Sequence, residues 1–217
     1  LYDTGTRVPL AAMWKAKARG GRVVEDFVSL ADLAPTFLEA AGLEPLEVMT
    51  ARSFLDILLA GKEGRVDPQR DHILTGMERH AWARPGGLGY PMRAIRTHDL
   101  LYIRNFKPDR WPAGNPPRYG DIDGSPTKRF MMDRRDDPKV KPLFELAFGK
   151  RPAEELYDCR TDPGQLHNVA DDPAYADIRK QLADQLMAEL KATKDPRALG
   201  KGDVFDHYPY VGRKPKL

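Results

Sequence analysis

The chain has 217 residues, 41% of them hydrophobic and 31% charged, which is enough apolar material for one or two domains with their own core. The formal net charge is only +3 and basic residues are interleaved with acidic ones, so the charge pattern does not support nucleic-acid binding. No apolar stretch reaches the roughly 18 residues that a membrane span requires.

The first residues form a turn followed by an apolar run. We predict a tight turn at Asp3–Thr6 and a buried strand over residues 8–14 (VPLAAMW), with Pro9 near its start, where a missing N–H is tolerated. Because the chain begins inside such a pattern and not at a Met, we expect it to be part of a longer protein.

Two helices are predicted next. In residues 29–45, Ser29 is a candidate N-cap with Asp32 three positions later, and Gly42 is placed to end the helix. A second, short helix is predicted in residues 53–62, with Ser53 as its cap.

Strand patterns then dominate. Residues 72–78 predict one strand, and residues 92–106 predict two strands joined by a tight turn at His98–Asp99. Proline and glycine are concentrated in residues 106–130, where they exclude long helices and strands, and we predict a long loop over about residues 106–150. Aromatic side chains indicate that this loop packs on something: Trp111, Tyr119 and Phe130.

A last strand and a long helix complete the pattern. The strand is predicted around residues 153–159, and the helix is capped by Asp172 with Pro173 in its first position. One face of the helix is apolar at helical spacing: Tyr175, Ile178, Leu182, Leu186 and Leu190. No element is assigned after Gly200. The order of elements predicts an α+β fold.

Signatures of a complete catalytic site are missing. The five histidines do not show the spacing of helical zinc sites, and the acidic runs Asp121–Gly124 and Asp133–Asp137 do not follow the calcium-loop pattern. We therefore predict no metal site in this chain. Cys159 is interpreted as a buried structural thiol and not as a nucleophile.

Candidate binding residues are concentrated in residues 77–93 (MERHAWARPGGLGYPMR). A carboxylate, three guanidinium groups, an imidazole and an indole occur together there: Glu78, Arg79, His80, Trp82, Arg84 and Arg93. Guanidinium groups suit sulfate, carboxylate or phosphate, and Trp offers a face to a sugar or another ring. The alternative is an ordinary charged strand end and a solvated loop with one packed Trp, and the residues alone favour this alternative.

Three stretches resemble successive landmarks in the back half of the sulfatase family: LYDTGTRVPL, VSLADLAPTFLEAAGLEP and ELYDCRTDPGQLHNVADDP. They occur in the family order, and together with YPMRAIRTHDLLYIRNF they extend over most of the chain. The third stretch, with ERHAWARP before it, is most similar to the heparan N-sulfatase (sulfamidase) branch.

The resemblance implies the C-terminal portion of a protein with an alkaline-phosphatase-like fold. Residues 1–68 are then the end of the large α/β domain. Residues 69–217 are a smaller subdomain in which an antiparallel sheet packs against a long C-terminal helix.

The resemblance also implies a chemistry whose central groups lie outside this chain. The parent enzyme would be a hydrolase that cleaves sulfate esters or sulfamates of sulfated sugars, glycosaminoglycans among them. It would use calcium and a formylglycine made in a C/S-x-P-S-R motif, both in the preceding part. We therefore expect no catalytic residue here and no activity of the chain alone. The residues implied to bind substrate are Glu78, Arg79, His80 and Arg84.

The same resemblance implies partners and a compartment. The expected partners are a sulfated carbohydrate, the missing N-terminal catalytic domain and a second copy in a homo-oligomer, with neither nucleic acid nor membrane. A periplasmic, secreted or lysosome-like location is implied. Two alternatives stay open: a non-catalytic module that binds sulfated glycans or another partner, and part of a related phosphodiesterase or phosphatase.

Overall fold

The computed structural model describes residues 1–212 and 214. Within these residues the strands are β1 (His72–Met77), β2 (Met92–Thr97), β3 (Leu100–Asn105) and β4 (Glu154–Asp158). The α-helices there are α1 (Asp3–Thr6), α2 (Leu33–Ala40), α3 (Leu55–Leu59), α4 (Pro126–Asp133), α5 (Lys141–Phe148) and α6 (Ala176–Ala192). Short 3₁₀ helices lie at Leu30–Asp32, Pro85–Gly87, Pro173–Tyr175 and Gly202–His207. The described residues contain no helix long and apolar enough to cross a membrane.

The chain divides into two compact units. One comprises Leu1–Asp3, Leu74–Ile95 and the chain from Asp99 onward, and the other comprises Thr4–Ile73 and Arg96–His98. The proposed division into parts of two parent domains at residue 68 stays a prediction, because compactness does not identify the parent domain of a residue.

The four strands form one sheet in the order β1-β2-β3-β4. A single sheet accompanied by helices agrees with the predicted α+β fold. Strands β3 and β4 run antiparallel, with Leu100 opposite Asp158 and Arg104 opposite Glu154. The predicted turn at His98–Asp99 joins β2 to β3. Since successive side chains of a strand point to opposite faces, the sheet can have a core on each side.

Helix α6 supplies three of the buried residues in the core on one face of the sheet. Its Leu182, Leu186 and Leu190 pack with Tyr102 of β3 and Leu156 of β4. Alternate residues of the strands form a second cluster on the other face: Ala94, Leu101, Ile103 and Tyr157. This confirms the predicted apolar stripe of α6 and shows that Leu101 and Ile103 of β3 face away from Tyr102. Asp172 caps the 3₁₀ turn before α6 by accepting from the Ala174 N–H.

Residues 106–150 are more ordered than predicted, because α4 and α5 lie within the expected loop. Both helices have a proline in the first turn, where the missing N–H would have no partner inside the helix. The prolines therefore begin helices here instead of excluding them. The predicted packing of aromatic residues is confirmed for Tyr119, whose ring centroid lies 4.9 Å from that of Phe148.

The unit that contains α2 and α3 is organised by a buried ion pair. Ser29 and Asp32 form the predicted capping box before α2. Asp32 also accepts from Arg70 at 2.8 Å, and Arg70 donates further to backbone carbonyl groups of Phe27, Arg52 and Ser53. The two predicted helices of this region are both present.

The predicted strand over residues 8–14 was wrong. These residues have no regular secondary structure, and the side chain of Met13 is 81% exposed. An extended segment becomes a strand only when a neighbouring strand accepts its hydrogen bonds, and no described strand lies beside it. The predicted turn at Asp3–Thr6 is the single helical turn α1. Gly202–His207, where no element was assigned, is a 3₁₀ helix.

Candidate functional site

The candidate residues lie on the connection between β1 and β2. The N–H of Tyr90 donates to the carbonyl oxygen of Glu78 (3.1 Å) and closes this connection. Its tip is the 3₁₀ turn Pro85–Gly87, in which Gly87 has a φ of +70°. A Cβ on Gly87 would lie 2.3 Å from the Trp82 ring, so only glycine lets the indole pack on the turn.

Arg84, predicted to bind substrate, is buried with only 2% of its surface exposed. It donates to the carbonyl oxygens of Trp111 (2.7 Å) and Pro112 (2.7 Å) and to the carboxylate of Asp121. The guanidinium therefore joins the β1–β2 connection to the segment after β3. In this position Arg84 fixes the backbone of the candidate site through buried hydrogen bonds and presents no charge at the surface.

Glu78 lies between two buried arginines. Its Oε1 accepts from Arg93 at 2.9 Å and its Oε2 from Arg197 at 2.8 Å. Burial alone lowers the pKa of Arg197, but the hydrogen bonds and the charge of Glu78 outweigh that effect and raise this pKa. Arg93 also donates to Asp195 at 2.8 Å. Glu78 thus ties the β1–β2 connection to the segment that follows α6.

A second carboxylate fixes that C-terminal segment. Asp206 accepts from the backbone N–H of Gly89 (2.9 Å) and from Arg110 (2.9 Å). Burial raises the pKa of Asp206, but the hydrogen bonds from Arg110 and Gly89 prevail and hold it below its ordinary value. The residues after α6 are therefore hydrogen-bonded to the β1–β2 connection near both of its ends, at Glu78 and at Gly89.

Arg79 and Trp82 lie beside the C-terminal segment. Arg79 donates to the carbonyl oxygens of Gly87 (3.2 Å) and Tyr208 (2.6 Å), and its guanidinium lies 5.2 Å from the ring centroid of Tyr210. The Trp82 and Tyr210 rings are 5.5 Å apart. A half-buried guanidinium beside aromatic rings can bind an anion, while the rings offer a face to the apolar side of a sugar.

His80 is the most accessible of the predicted residues. Its side chain is 60% exposed, and its Nδ1 lies 3.8 Å from Oδ1 of Asp121. The four predicted residues therefore divide into two buried or half-buried residues in ion pairs, Glu78 and Arg84, and two that offer polar groups at the surface, Arg79 and His80. Their role in substrate binding stays a prediction.

The calcium and formylglycine expected in the parent enzyme do not fit the described residues. Among these, no group of three or more His, Cys, Asp or Glu residues could hold a metal ion. Cys159 is half-buried, accepts a weak hydrogen bond from Gln165 at 3.5 Å and lacks the C/S-x-P-S-R context. It is less buried than predicted, since it follows the last residue of β4. We derive no catalytic step through either group.

Comparison with known proteins identifies the relatives of this chain. It is 30% identical over 193 residues to an ulvan-active sulfatase of Formosa agariphila, an alignment that covers 89% of this chain and 34% of that protein. It is 29% identical over 221 residues to the N-sulphoglucosamine sulphohydrolase of Homo sapiens, covering 95% of this chain and 41% of that protein. The chain is a homologue of sulfatases.

This sulfatase homologue spans about a third of the length of the first curated relatives that it matches. No family model matches it. Among solved structures, one described as a complex with its substrate D-glucosamine-2-N,6-O-disulfate is 22% identical, with a TM-score of 0.47, and the match covers 76% of this chain and 25% of that one.

Proposed function

We propose that this chain is part of a sulfatase that hydrolyses sulfate esters or sulfamates of sulfated sugars, and that it forms the sugar-binding side of the pocket. The observation that carries the proposal is the alignment with sulfatases over about nine tenths of the chain. Two of those relatives are named for ulvan and one for N-sulphoglucosamine. A sulfated sugar is accordingly the substrate class proposed here.

The surface around Arg79 and His80 supports this role. Arg79 carries a positive charge beside Trp82 and Tyr210, and His80 extends into solvent on the same connection. A sulfated sugar has an anionic group, hydroxyl groups and an apolar ring face, and these three features match the three side-chain types. Arg84 and Glu78 contribute by fixing the backbone from which these side chains project.

The proposal extends to the parts of the parent protein that this chain does not contain. Calcium and formylglycine would come from the parent's catalytic domain, which would also be a contact partner of this chain. A homo-oligomer and a periplasmic, secreted or lysosome-like compartment belong to the same proposal. Its support is the family resemblance.

The test is a titration of the 217-residue chain with N-sulfoglucosamine, followed by chemical shifts of the backbone amides. We expect saturable shifts in residues 78–84 and an affinity that falls as salt is raised, because an ion pair contributes. Arg79→Ala should weaken binding about tenfold, the value of one partly exposed charge-assisted hydrogen bond.

Arg135→Ala is the matched control, because Arg135 is an exposed arginine that follows α4 and lies outside residues 78–84. It removes the same charge and should leave the affinity unchanged. Equal weakening by both variants would show non-specific attraction to the net charge and contradict the proposal. An amide spectrum of Arg79→Ala that matches the wild type outside residues 78–90 and 205–212 confirms that the variant is folded.

A further inference from the structure

Asp121 is held beside the candidate site by hydrogen bonds, yet one of its carboxylate oxygens accepts none within the described residues. Its backbone N–H donates to the carbonyl oxygen of Ala113 at 3.0 Å, and its Oδ2 accepts from the buried Arg84. Its Oδ1 is buried and accepts no hydrogen bond within the described residues. Buried carboxylate oxygens are ordinarily hydrogen-bonded, so this atom points to a missing donor.

His80 is the side chain placed to supply that donor. Its Nδ1 lies 3.8 Å from Asp121 Oδ1, somewhat beyond the range of about 2.7–3.2 Å for an N–H···O bond. The imidazole is 60% exposed, so a small rotation brings the two atoms into range without repacking. The second ring nitrogen, Nε2, then points away from Asp121 and toward solvent.

We propose that Asp121 is a positioning residue: its Oδ1 holds His80 in the tautomer with hydrogen on Nδ1, and Nε2 of His80 then accepts a hydrogen bond from a sugar hydroxyl. The assignment of the sugar rests on the proposed function. The tautomer is fixed because a carboxylate can accept but not donate, so the proton must lie on the nitrogen that faces it. Arg84 acts on His80 only through Asp121, by fixing the orientation of the carboxylate.

A second histidine of the chain provides an internal comparison. The Nδ1 of His167 lies 3.6 Å from Oδ2 of Asp162, a similar separation. That oxygen already accepts from the backbone N–H groups of Leu166 and His167, both at 2.7 Å. His167 is also 83% exposed. The carboxylate beside His167 is therefore satisfied without the ring, whereas Oδ1 of Asp121 is not.

The experiment measures the ¹⁵N chemical shifts of the ring nitrogens in the full chain at pH 8.5, where imidazole rings are ordinarily neutral. We expect the Nδ1–H pattern for His80, and for His167 the Nε2–H pattern that dominates in free histidine. An Nε2–H pattern for His80 in the wild-type chain would overturn the proposal. This measurement needs no variant, so it decides the matter even if a substituted chain does not fold.

The substitution Asp121→Asn should change the expected ¹⁵N pattern of His80 from Nδ1–H to Nε2–H. Arg84 offers only donors and requires the amide oxygen, so the amide NH₂ of the new side chain would face His80. A donor at that place converts Nδ1 into the acceptor and moves the proton to Nε2. The signals of His167 should not change. Retention of the Nδ1–H pattern in this variant, with an otherwise native spectrum, would contradict the role of Asp121.

Addition of N-sulfoglucosamine separates this inference from the proposed function. If both hold, the sugar shifts the Nε2 signal of His80. If the tautomer is as expected but the sugar causes no shift anywhere, the proposed function and the assigned ligand fail while the His80–Asp121 geometry stands. If the sugar binds but His80 shows the Nε2–H pattern, only the positioning role fails.

Discussion

Glu78 illustrates how the structure changes the interpretation of a single residue. The sequence suggests a substrate contact, whereas the structure surrounds the carboxylate with Arg93 and Arg197. Each of these arginines is 7% exposed. Removing the charge between two buried cations takes away the carboxylate that both share, while Arg93 keeps its ion pair with Asp195 and Arg197 keeps its ion pair with Asp203.

We predict that Glu78→Gln lowers the free energy of unfolding by about 1–3 kcal/mol, because two buried guanidinium groups lose a charged acceptor. Urea unfolding at pH 7 measures the effect. His80→Gln is the control on the same connection and should change the stability by less than about 0.5 kcal/mol, since His80 is exposed. Equal stability of Glu78→Gln and wild type would refute the bridging role.

Asp158 carries a pH dependence whose sign follows from its contacts. Hydrogen bonds from Arg160, and to a lesser extent from Tyr175, outweigh burial and hold the pKa of Asp158 well below its usual range. A carboxyl whose pKa is lower in the folded state stabilises the fold above its unfolded pKa of about 3.9. That stabilisation is lost as the pH falls toward the folded pKa.

We therefore predict that stability declines below about pH 4 and that Asp158→Asn declines less steeply over the same range. The variant should also be less stable than wild type at pH 7. Chemical denaturation at a series of pH values measures both. Asp171→Asn is the control, because the Asp171 carboxylate is fully exposed. If Asp158→Asn and wild type show parallel pH profiles, the folded-state interactions of Asp158 are not the cause.

Among the elements, those defined by local signals could be predicted from sequence. Helix α6 has an apolar stripe and follows a 3₁₀ turn that begins with Pro173 and is capped by Asp172, and the hairpin β2–β3 has alternation and a tight turn. Helices α4 and α5 were not predicted because proline interrupts a helix in its interior but is favoured in its first turn, and the sequence pattern does not distinguish the two positions here. The strand expected at residues 8–14 lacks a partner strand, which no local pattern reveals.

Helix α6 also provides the element-scale prediction. Leu186 is fully buried between this helix and the sheet. Leu186→Ala should lower the free energy of unfolding by about 2–5 kcal/mol, through lost burial and an incompletely filled cavity. Gln181→Ala, on an exposed position of the same helix, should change it by less than about 0.5 kcal/mol. A similar effect of the two substitutions in urea unfolding would show that α6 does not form this core.

The candidate site could be only partly predicted because its residues meet across long sequence distances. The composition of residues 77–93 indicated a cationic and aromatic surface, and Arg79, His80 and Trp82 are placed on it. The partners that set the roles of the others lie far along the chain: Asp121, Asp195, Arg197, Tyr208 and Tyr210. The acidic run that contains Asp121 does not match a calcium-loop pattern, and no rule of sequence spacing predicts that Asp121 lies beside His80.

For the whole molecule, homology and geometry support the same proposal. The chain aligns with sulfatases over most of its length, and its half-buried Arg79 and Trp82 together with the exposed His80 suit a sulfated sugar. The proposed contribution of this chain is recognition of the sugar, with the reacting groups supplied by the parent protein.

The amide titration with N-sulfoglucosamine, compared with N-acetylglucosamine, tests this central claim most directly. The two sugars differ in the charged group that Arg79 is proposed to bind. We predict saturable shifts in residues 78–84 with the N-sulfated sugar and much smaller shifts with the acetylated one. Equal responses to both sugars, or shifts confined to residues outside this segment, would contradict the proposed function.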